Sequence, residues 1–142
     1  MAGRGLFFED LSIGQSVALT RVVGEADIAA FASVSGDDNP VHLDAAFAAT
    51  TPFKQRIAHG MLTASYISAL IGTRLPGPGA IYVSQTLNFK RPVKIGDAVT
   101  ARVEISALDA AKARVTFACS CIVNGKPVLD GEAVVIAPHR PA

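Results

Sequence analysis

The sequence lacks tryptophan, has only two cysteines and carries little charge. Charged residues make up 18% of the 142, and 13 Lys and Arg nearly balance 12 Asp and Glu, for a net charge of +1. No basic block occurs, which argues against the electrostatic surface that follows nucleic acid. Half of the residues are hydrophobic, and this proportion indicates a compact globular domain rather than a disordered chain.

Long apolar segments are also absent. No run approaches the roughly 20 apolar residues that a membrane helix needs, and the first nine residues lack the apolar stretch of a signal peptide. We therefore expect a cytoplasmic protein with no membrane partner. Cys119 and Cys121 share one face of a predicted strand, too far apart for an easy disulfide. We expect them to be reduced core residues, and we expect no metal, since an isolated C-x-C pair is a poor zinc site.

The first half of the chain has the apolar pattern of one strand followed by helices. Residues 16–23 are predicted to form the strand, and residues 25–34 a helix that Gly36 ends. A short helix over residues 45–50 follows a polar loop. The longest helix is predicted over residues 57–75, and apolar residues lie nearly all round it, so we expect it to be buried on every side.

The second half alternates apolar and polar residues with the period of two that is typical of β-strands. Strands are predicted near residues 81–89, 99–106, 115–123 and 128–136, and Asn124-Gly125 predicts a two-residue type I′ hairpin turn. Residues 1–142 are therefore predicted to form a single α+β domain. In it, four strands form an antiparallel meander that wraps round the long central helix.

Three polar features stand out from this apolar background. Asp37 and His42 lie five residues apart on a loop that Pro40 stiffens, and His59-Gly60 stands near the start of the long helix. The first N–H groups of a helix have no acceptor within it. These groups are therefore free to bind an anionic or polarised oxygen.

Hydration of an α,β-unsaturated thioester needs this combination of groups. A carboxylate and an imidazole beside one water molecule can move both protons of the reaction. Helix N–H groups can stabilise the enolate oxygen, and glycine lets that oxygen approach the backbone closely. The chemistry needs no metal, nucleotide or flavin, so no cofactor is expected.

Residues 35–42, SGDDNPVH, resemble the hydratase motif of the (R)-specific enoyl-CoA hydratases, the MaoC-like family of hot-dog proteins. The shared pattern is Asp-x-Asn-Pro-x-His, followed about fifteen residues later by His-Gly-Met, here residues 59–61. Residues 89–97 are also similar to a strand-to-turn stretch of the family. The resemblance extends from about residue 8 to residue 136.

This resemblance implies a hot-dog domain that reversibly hydrates trans-2-enoyl-CoA to (R)-3-hydroxyacyl-CoA. Asp37 and His42 match the catalytic pair that activates water, and Gly60 matches the backbone donor to the thioester oxygen. Asn39 matches a residue that braces the site, and Ser68 a serine that supports it from the helix. Family members form dimers, so a homodimer is expected, and in several bacteria they feed polyhydroxyalkanoate synthesis.

Structural or surface roles are expected for several other residues near the predicted site. Ile71 is expected in the core, where it or Leu70 forms the floor of the acyl tunnel. His59 is expected to shape the start of the helix rather than to take part in catalysis. Lys90 and Arg91 are interpreted as solvated surface, although they are also suited to contact the phosphates of CoA.

Two other functions stay open at this point. A hot-dog acyl-CoA thioesterase also places a helix N-terminus at the carbonyl and a carboxylate near water, although such enzymes usually carry their acid elsewhere. A non-catalytic acyl-thioester-binding subunit would keep the fold without needing Asp37 or His42. Acyl chain length and the choice between CoA and acyl-carrier protein are also open.

Overall fold

The computed structural model describes residues 4–142, in which one antiparallel sheet packs against one long helix. A single 3₁₀ turn, Phe8–Asp10, precedes the first strand. The strands and helices are β1 (Ser16–Val22), α1 (Glu25–Ser35), α2 (Pro40–Leu43), α3 (Ala45–Ala49), α4 (Gly60–Thr73), β2 (Ile81–Gln85), β3 (Asn88–Phe89), β4 (Ala98–Asp109), β5 (Arg114–Val123) and β6 (Lys126–Ile136).

The sheet has the strand order β1-β4-β5-β6-β2, and β3 also pairs with β6. All of these pairs are antiparallel. The predicted four-strand meander is therefore wrong in one respect, because β2 pairs with β6 at the far edge and not with β4, the next long strand. The segment between β3 and β4 carries the chain from β6 to the other side of the sheet. Two hydrogen bonds hold this segment, from Ala58 N–H to the Val93 carbonyl and from Gly96 N–H to the Val23 carbonyl.

The core lies between α4 and the sheet. Alternate residues of β4 and β5 are buried, as the period of two predicts, and α4 contacts both strands. Ile67, Leu70 and Ile71 of α4 are almost fully buried together with Val103 and Phe117 of the sheet. Burying a side chain of this size contributes about 1.5–3 kcal/mol, so this layer makes a large contribution to the stability of the fold. The hot-dog arrangement expected from the motif is confirmed.

Helix α4 is shorter and less buried than predicted. It begins at Gly60 and not at residue 57, because the preceding residues are extended and Ile57 bridges to Lys94. One stripe of the helix stays exposed, formed by Met61, Ser65, Ser68 and Gly72. The expectation of burial on every side is therefore wrong for the protomer, since the sheet covers only one side of the helix.

Two turns confirm local predictions. Gly36 ends α1 in the left-handed region, with φ of 80°. Asn124 and Gly125 have φ of 51° and 75°, and they join β5 to β6 through the pair Val123 and Lys126. Positive φ at both central positions is the requirement of a type I′ turn, which Asn-Gly meets at little steric cost.

The cysteines also match expectation, since Cys119 and Cys121 are free and buried. Burial raises the pKa of Cys119 to about 11 and that of Cys121 to about 12, so both thiols stay protonated at neutral pH. Among residues 4–142, no helix has the length and apolar character needed to cross a bilayer. The cytoplasmic location stays a prediction.

Residues near the two ends of the described chain contact each other. Phe8 N–H donates to the Pro138 carbonyl at 2.8 Å. The His139 imidazole lies 2.5 Å from a Glu9 oxygen through Nδ1 and 2.9 Å from the Ala110 carbonyl oxygen through Nε2. Since both ring nitrogens face acceptors, the protonated imidazole satisfies both contacts. We call this contact between Glu9 and His139 the terminal clasp.

The terminal clasp makes stability depend on pH. The backbone N–H of Arg140 and the His139 side chain lower the pKa of Glu9 from 4.5 to about 2, while Glu9 and the Ala110 carbonyl raise the pKa of His139. A lowered carboxyl pKa adds stability above about pH 4.5 that is lost as the pH falls towards 2. A raised imidazole pKa adds stability below about pH 6.5 that is lost as the pH rises through the folded-state value.

We therefore expect Glu9→Gln to lower the thermal unfolding midpoint more at pH 5.5 than at pH 8.5, because the contact is strongest with protonated His139 and the imidazole loses its proton as the pH rises. The measurement is the midpoint of the variant and of the unchanged protein by circular dichroism at both pH values. Glu104→Gln is the control, because Glu104 pairs with Arg102 on the surface and not with a histidine. An equal drop at both pH values for Glu9→Gln would show that the clasp does not titrate as described.

Candidate active site

Short-range contacts shape the loop that carries Asp37. Asp37 N–H donates to the Ser35 hydroxyl at 3.1 Å, and Asp37 Oδ1 accepts from Asn39 N–H at 3.3 Å. The Asn39 side chain in turn accepts from Val41 N–H at 3.1 Å and caps α2. Aspartate and asparagine suit such turns because their side chains replace missing backbone acceptors. The geometry thus uses Asn39 as a helix cap, and its predicted place in substrate binding stays a prediction.

His42 lies on α2 with 8% of its surface exposed. Its Nδ1 is 2.7 Å from the Ile57 carbonyl oxygen. A carbonyl oxygen only accepts hydrogen bonds, so Nδ1 carries the proton and Nε2 keeps a free lone pair in the neutral ring. This is the tautomer that a general base needs, and it is set by a residue fifteen positions away.

His59 lies against His42, and this contact was not predicted. The ring centroids are 3.8 Å apart with an angle of 25° between the planes, and His59 is only 2% exposed. Its Nε2 is 2.8 Å from the Asp37 carbonyl oxygen. Its Nδ1 is buried and has no hydrogen-bond partner among residues 4–142. The signal in the sequence is a histidine directly before the glycine that begins α4, and its expected role of shaping the helix start does not include a contact with His42.

The structure brings the three side chains to one place. One polar atom of each of Asp37, His42 and His59 lies within 4.8 Å of the others, and the Asp37 side chain faces solvent. Two imidazoles and a carboxylate are also donors that transition metals accept. The expectation that no metal is bound stays a prediction.

A cleft of about 420 Å³ adjoins this cluster. It begins at His59 and Gly60, and its other walls are mostly apolar. The lining also includes Phe53, Ile57, Ala58, Met61, Thr63, Phe89, Lys90, Arg91, Pro92, Val93 and Val128. An apolar cleft with a few polar groups at one end is typical of small-molecule sites.

Gly60 supplies the polar end of the cleft. It is the first residue of the 14-residue α4, and within the described chain its N–H donates no hydrogen bond. The N–H therefore points from the positive end of the helix dipole with its bonding capacity unused. A Cβ at this position would lie 2.6 Å from the Phe89 ring. Glycine is therefore the residue that lets the Phe89 ring pack directly against the backbone at the start of α4.

The two cations of the lining have partners in the protein. Lys90 Nζ lies 3.5 Å from an Asp130 carboxylate oxygen, and Arg91 donates to the Pro127 carbonyl at 2.6 Å. Both pairs are on the surface and leave part of each cation exposed to solvent. They place positive charge at the cleft without closing it.

Of the six predicted site residues, only Gly60 lines the cleft, and Asp37, Asn39 and His42 lie beside it rather than in its walls. Ser68 is exposed on the outer stripe of α4, and Ile71 is 1% exposed and belongs to the core. Neither is part of the cleft lining. The structure therefore brings Asp37 and His42 together with His59, the chain neighbour of Gly60, while the roles of Ser68 and Ile71 in substrate binding stay predictions.

Known proteins share both the sequence and this fold. An (R)-specific enoyl-CoA hydratase of Rhodospirillum rubrum is 55% identical over 134 residues, which cover 94% of this chain and 93% of that protein. A 3-hydroxybutyryl-CoA dehydratase of Methylorubrum extorquens is 52% identical over 137 residues, covering 96% and 87% of the two chains. The solved structure of an (R)-hydratase from A. caviae involved in PHA biosynthesis superposes with a TM-score of 0.89 at 49% identity, covering 92% of this chain and 99% of that one.

The model of the MaoC like domain matches residues 10–124, a range that includes the Asp37 loop, α4 and strands β1 to β5. The match covers more than half of the chain and agrees with the motif, the fold and the relatives. This chain belongs to the MaoC-like domain family.

Proposed function

We propose that this protein is an (R)-specific enoyl-CoA hydratase that adds water reversibly to trans-2-enoyl-CoA. One observation carries the proposal: a carboxylate oxygen of Asp37 and a ring nitrogen of His42 lie within 4.8 Å of each other and of His59, beside a cleft whose end is the unbonded N–H of Gly60. The names of both relatives support a CoA thioester as the substrate, and the name of the Rhodospirillum rubrum hydratase supports the (R) configuration.

The reaction follows from the placement of these groups. Water held between Asp37 and His42 attacks C3 of the enoyl group and gives a proton to the pair, with His42 Nε2 as the acceptor whose lone pair is free. The C2–C3 double bond shifts its electrons toward the thioester, and charge builds on the carbonyl oxygen. The Gly60 N–H and the helix dipole stabilise that oxygen. The pair then returns a proton to C2, which completes the 3-hydroxyacyl product.

The cleft suits the rest of the substrate. Its apolar walls, including Phe53 and Phe89, fit an acyl chain or the pantetheine arm, while Lys90 and Arg91 supply positive charge for the phosphates of CoA. We therefore take CoA as the thioester carrier. CoA enters as part of the substrate, and the proposed reaction uses no cofactor.

We also propose that the protein is a homodimer joined through β2. This strand lies at one end of the sheet and pairs only with β6 within residues 4–142. Three hydrophobic side chains of β2 are exposed to solvent, those of Ile81, Tyr82 and Val83, and Ile81 is 60% exposed. A free apolar edge strand favours pairing with another strand, and a second copy of β2 would satisfy its backbone across a two-fold axis.

The hydratase activity is tested with crotonyl-CoA, by following the loss of enoyl absorbance. Asp37→Asn and His42→Asn should each lower kcat by about 10²–10⁴-fold, as expected for loss of a general acid–base group. Asparagine at position 42 can still donate to the Ile57 carbonyl, so the thermal midpoint should change little. Asp38→Asn is the matched control on the same loop and should keep the activity of the unchanged protein.

Two results would contradict this assignment. Near-normal turnover in either Asp37→Asn or His42→Asn would remove that residue from the mechanism. Release of free CoA thiol from saturated butyryl-CoA, without loss of enoyl absorbance from crotonyl-CoA, would identify a thioesterase instead.

The oxyanion role of Gly60 is tested by Gly60→Ala. The added methyl group must displace the Phe89 ring and crowd the N–H, so kcat should fall by about 10²–10³-fold, the usual effect of losing one such donor. Gly72→Ala on the same helix is the control, because its Cβ meets no atom within 4 Å and alanine should stabilise the helix by about 0.5–1 kcal/mol. Equal activity of the two variants would exclude a donor role for Gly60.

The dimer is tested by Val83→Lys at the β2 edge. A charge there should oppose strand pairing, so the mass measured by light scattering should fall from two chains to one. Val22→Lys is the control, because Val22 is a similarly exposed valine at the opposite edge of the sheet, on β1. A dimer that persists in Val83→Lys but dissociates in Val22→Lys would place the interface at the other edge.

A further inference from the structure

We propose that His59 is a positioning residue for the hydration reaction. Its ring contacts both members of the predicted catalytic pair, and it immediately precedes the predicted oxyanion donor. The inference rests on the proposed hydratase function, and it assigns to His59 the task of setting how far the Asp37 carboxylate lies from the His42 Nε2.

The first contact is a hydrogen bond to the backbone of Asp37. His59 Nε2 lies 2.8 Å from the Asp37 carbonyl oxygen across 22 positions of sequence. Since that oxygen only accepts, Nε2 must be the protonated nitrogen of His59. Among residues 4–142, the other hydrogen bonds of Asp37 are to Ser35 and Asn39, its neighbours on the loop. His59 therefore ties Asp37 itself to the start of α4, while the bond from His42 to Ile57 ties the other end of the loop.

The second contact is the stack on His42. Ring centroids 3.8 Å apart with planes inclined by 25° are in van der Waals contact over their faces. The stack limits tilting of His42, while the bond from His42 Nδ1 to the Ile57 carbonyl limits its rotation. Phe31 packs against His59 as well, with centroids 4.8 Å apart. The His59 ring is thus enclosed between the catalytic loop and α1.

A third observation shows that packing alone does not account for a histidine here. His59 Nδ1 is buried without a hydrogen-bond partner in the described part of the chain, and a buried acceptor left unpaired costs stability. Phenylalanine would fill the same space and stack on His42 without that cost. It has no donor for the Asp37 carbonyl, however. The Nε2–H bond is the feature that only the polar ring supplies.

His59 combines these two side-chain contacts with a direct backbone connection to Gly60. His59 binds Asp37 through its Nε2, supports His42 through its face and fixes Gly60 as the next residue of the chain. Its own carbonyl accepts from Leu62 N–H at 3.0 Å in the first turn of α4. A shift of His59 therefore moves the base, the carboxylate and the oxyanion donor relative to one another.

Two substitutions separate the contacts. His59→Phe keeps an aromatic face against His42 but removes the donor, whereas His59→Gln can place an amide N–H near the Nε2 position but removes the stack. We expect His59→Phe to keep its thermal midpoint and to lose about 100-fold in kcat on crotonyl-CoA, the scale of a 1 Å misplacement of reacting groups. KM should change little, and His59→Gln should recover part of the lost kcat.

Ser65→Ala is the control for these variants. It removes a side-chain hydrogen bond to the Leu62 carbonyl on the same helix without touching the cluster, so kcat should stay unchanged. A His59→Phe variant that keeps the kcat of the unchanged protein would overturn the inference. So would a loss of activity that parallels a loss of folded protein in both His59 variants, since that is the result of a purely structural role.

Nitrogen-15 NMR of the imidazole rings tests the arrangement independently of turnover. The two rings should show opposite tautomers, with the proton on Nε2 in His59 and on Nδ1 in His42. The same protonated nitrogen in both rings would overturn the inference even in an active enzyme. If the unchanged protein does not hydrate crotonyl-CoA, the proposed function fails, and opposite tautomers would still support His59 as the residue that holds Asp37 and His42 together.

Discussion

Helix α4 begins at Gly60 because the residues before it are bound to other parts of the chain. Ile57 N–H donates to the Val41 carbonyl, and Ala58 N–H donates to the Val93 carbonyl at 2.7 Å. These bonds hold residues 57–59 extended, so no helical carbonyl is available to the N–H of Gly60. The unpaired donor at the end of the cleft is a direct consequence. The position of the site depends on this change from extended chain to helix.

The remaining parts of the site are arranged around that point. The Ile57 carbonyl, on the extended segment, sets the tautomer of His42. His59, on the same segment, holds the Asp37 carbonyl. The segment thus contacts both ends of the catalytic loop, while the sheet keeps α4 in place by burying Leu70 and its apolar neighbours. Stability and chemistry are separated along one helix, with the chemistry at its first residue and the core further along it.

Much of the fold was predictable because the patterns that specify it are local. Period-two alternation identified the buried faces of β4 and β5, and Asn124-Gly125 identified the hairpin between β5 and β6. Alternation says which residues share a face but not which strand lies next to another, and so the pairing of β2 with β6 was missed. The length of α4 was overpredicted for a related reason. Residues 57–59 have an apolar pattern that suits a helix, but backbone bonds to distant residues keep them extended.

The sequence by itself determined the family, the loop geometry around Asp37 and the glycine at the start of α4. Each of these depends on neighbouring residues, through turn chemistry, capping or the absence of a side chain. Only the tertiary structure decided that His59 stacks on His42 and bonds to Asp37. That contact joins residues 22 positions apart and requires the loop, the extended segment and the helix to be packed together first. Long-range packing leaves no periodic trace in a sequence, so it appeared only in three dimensions.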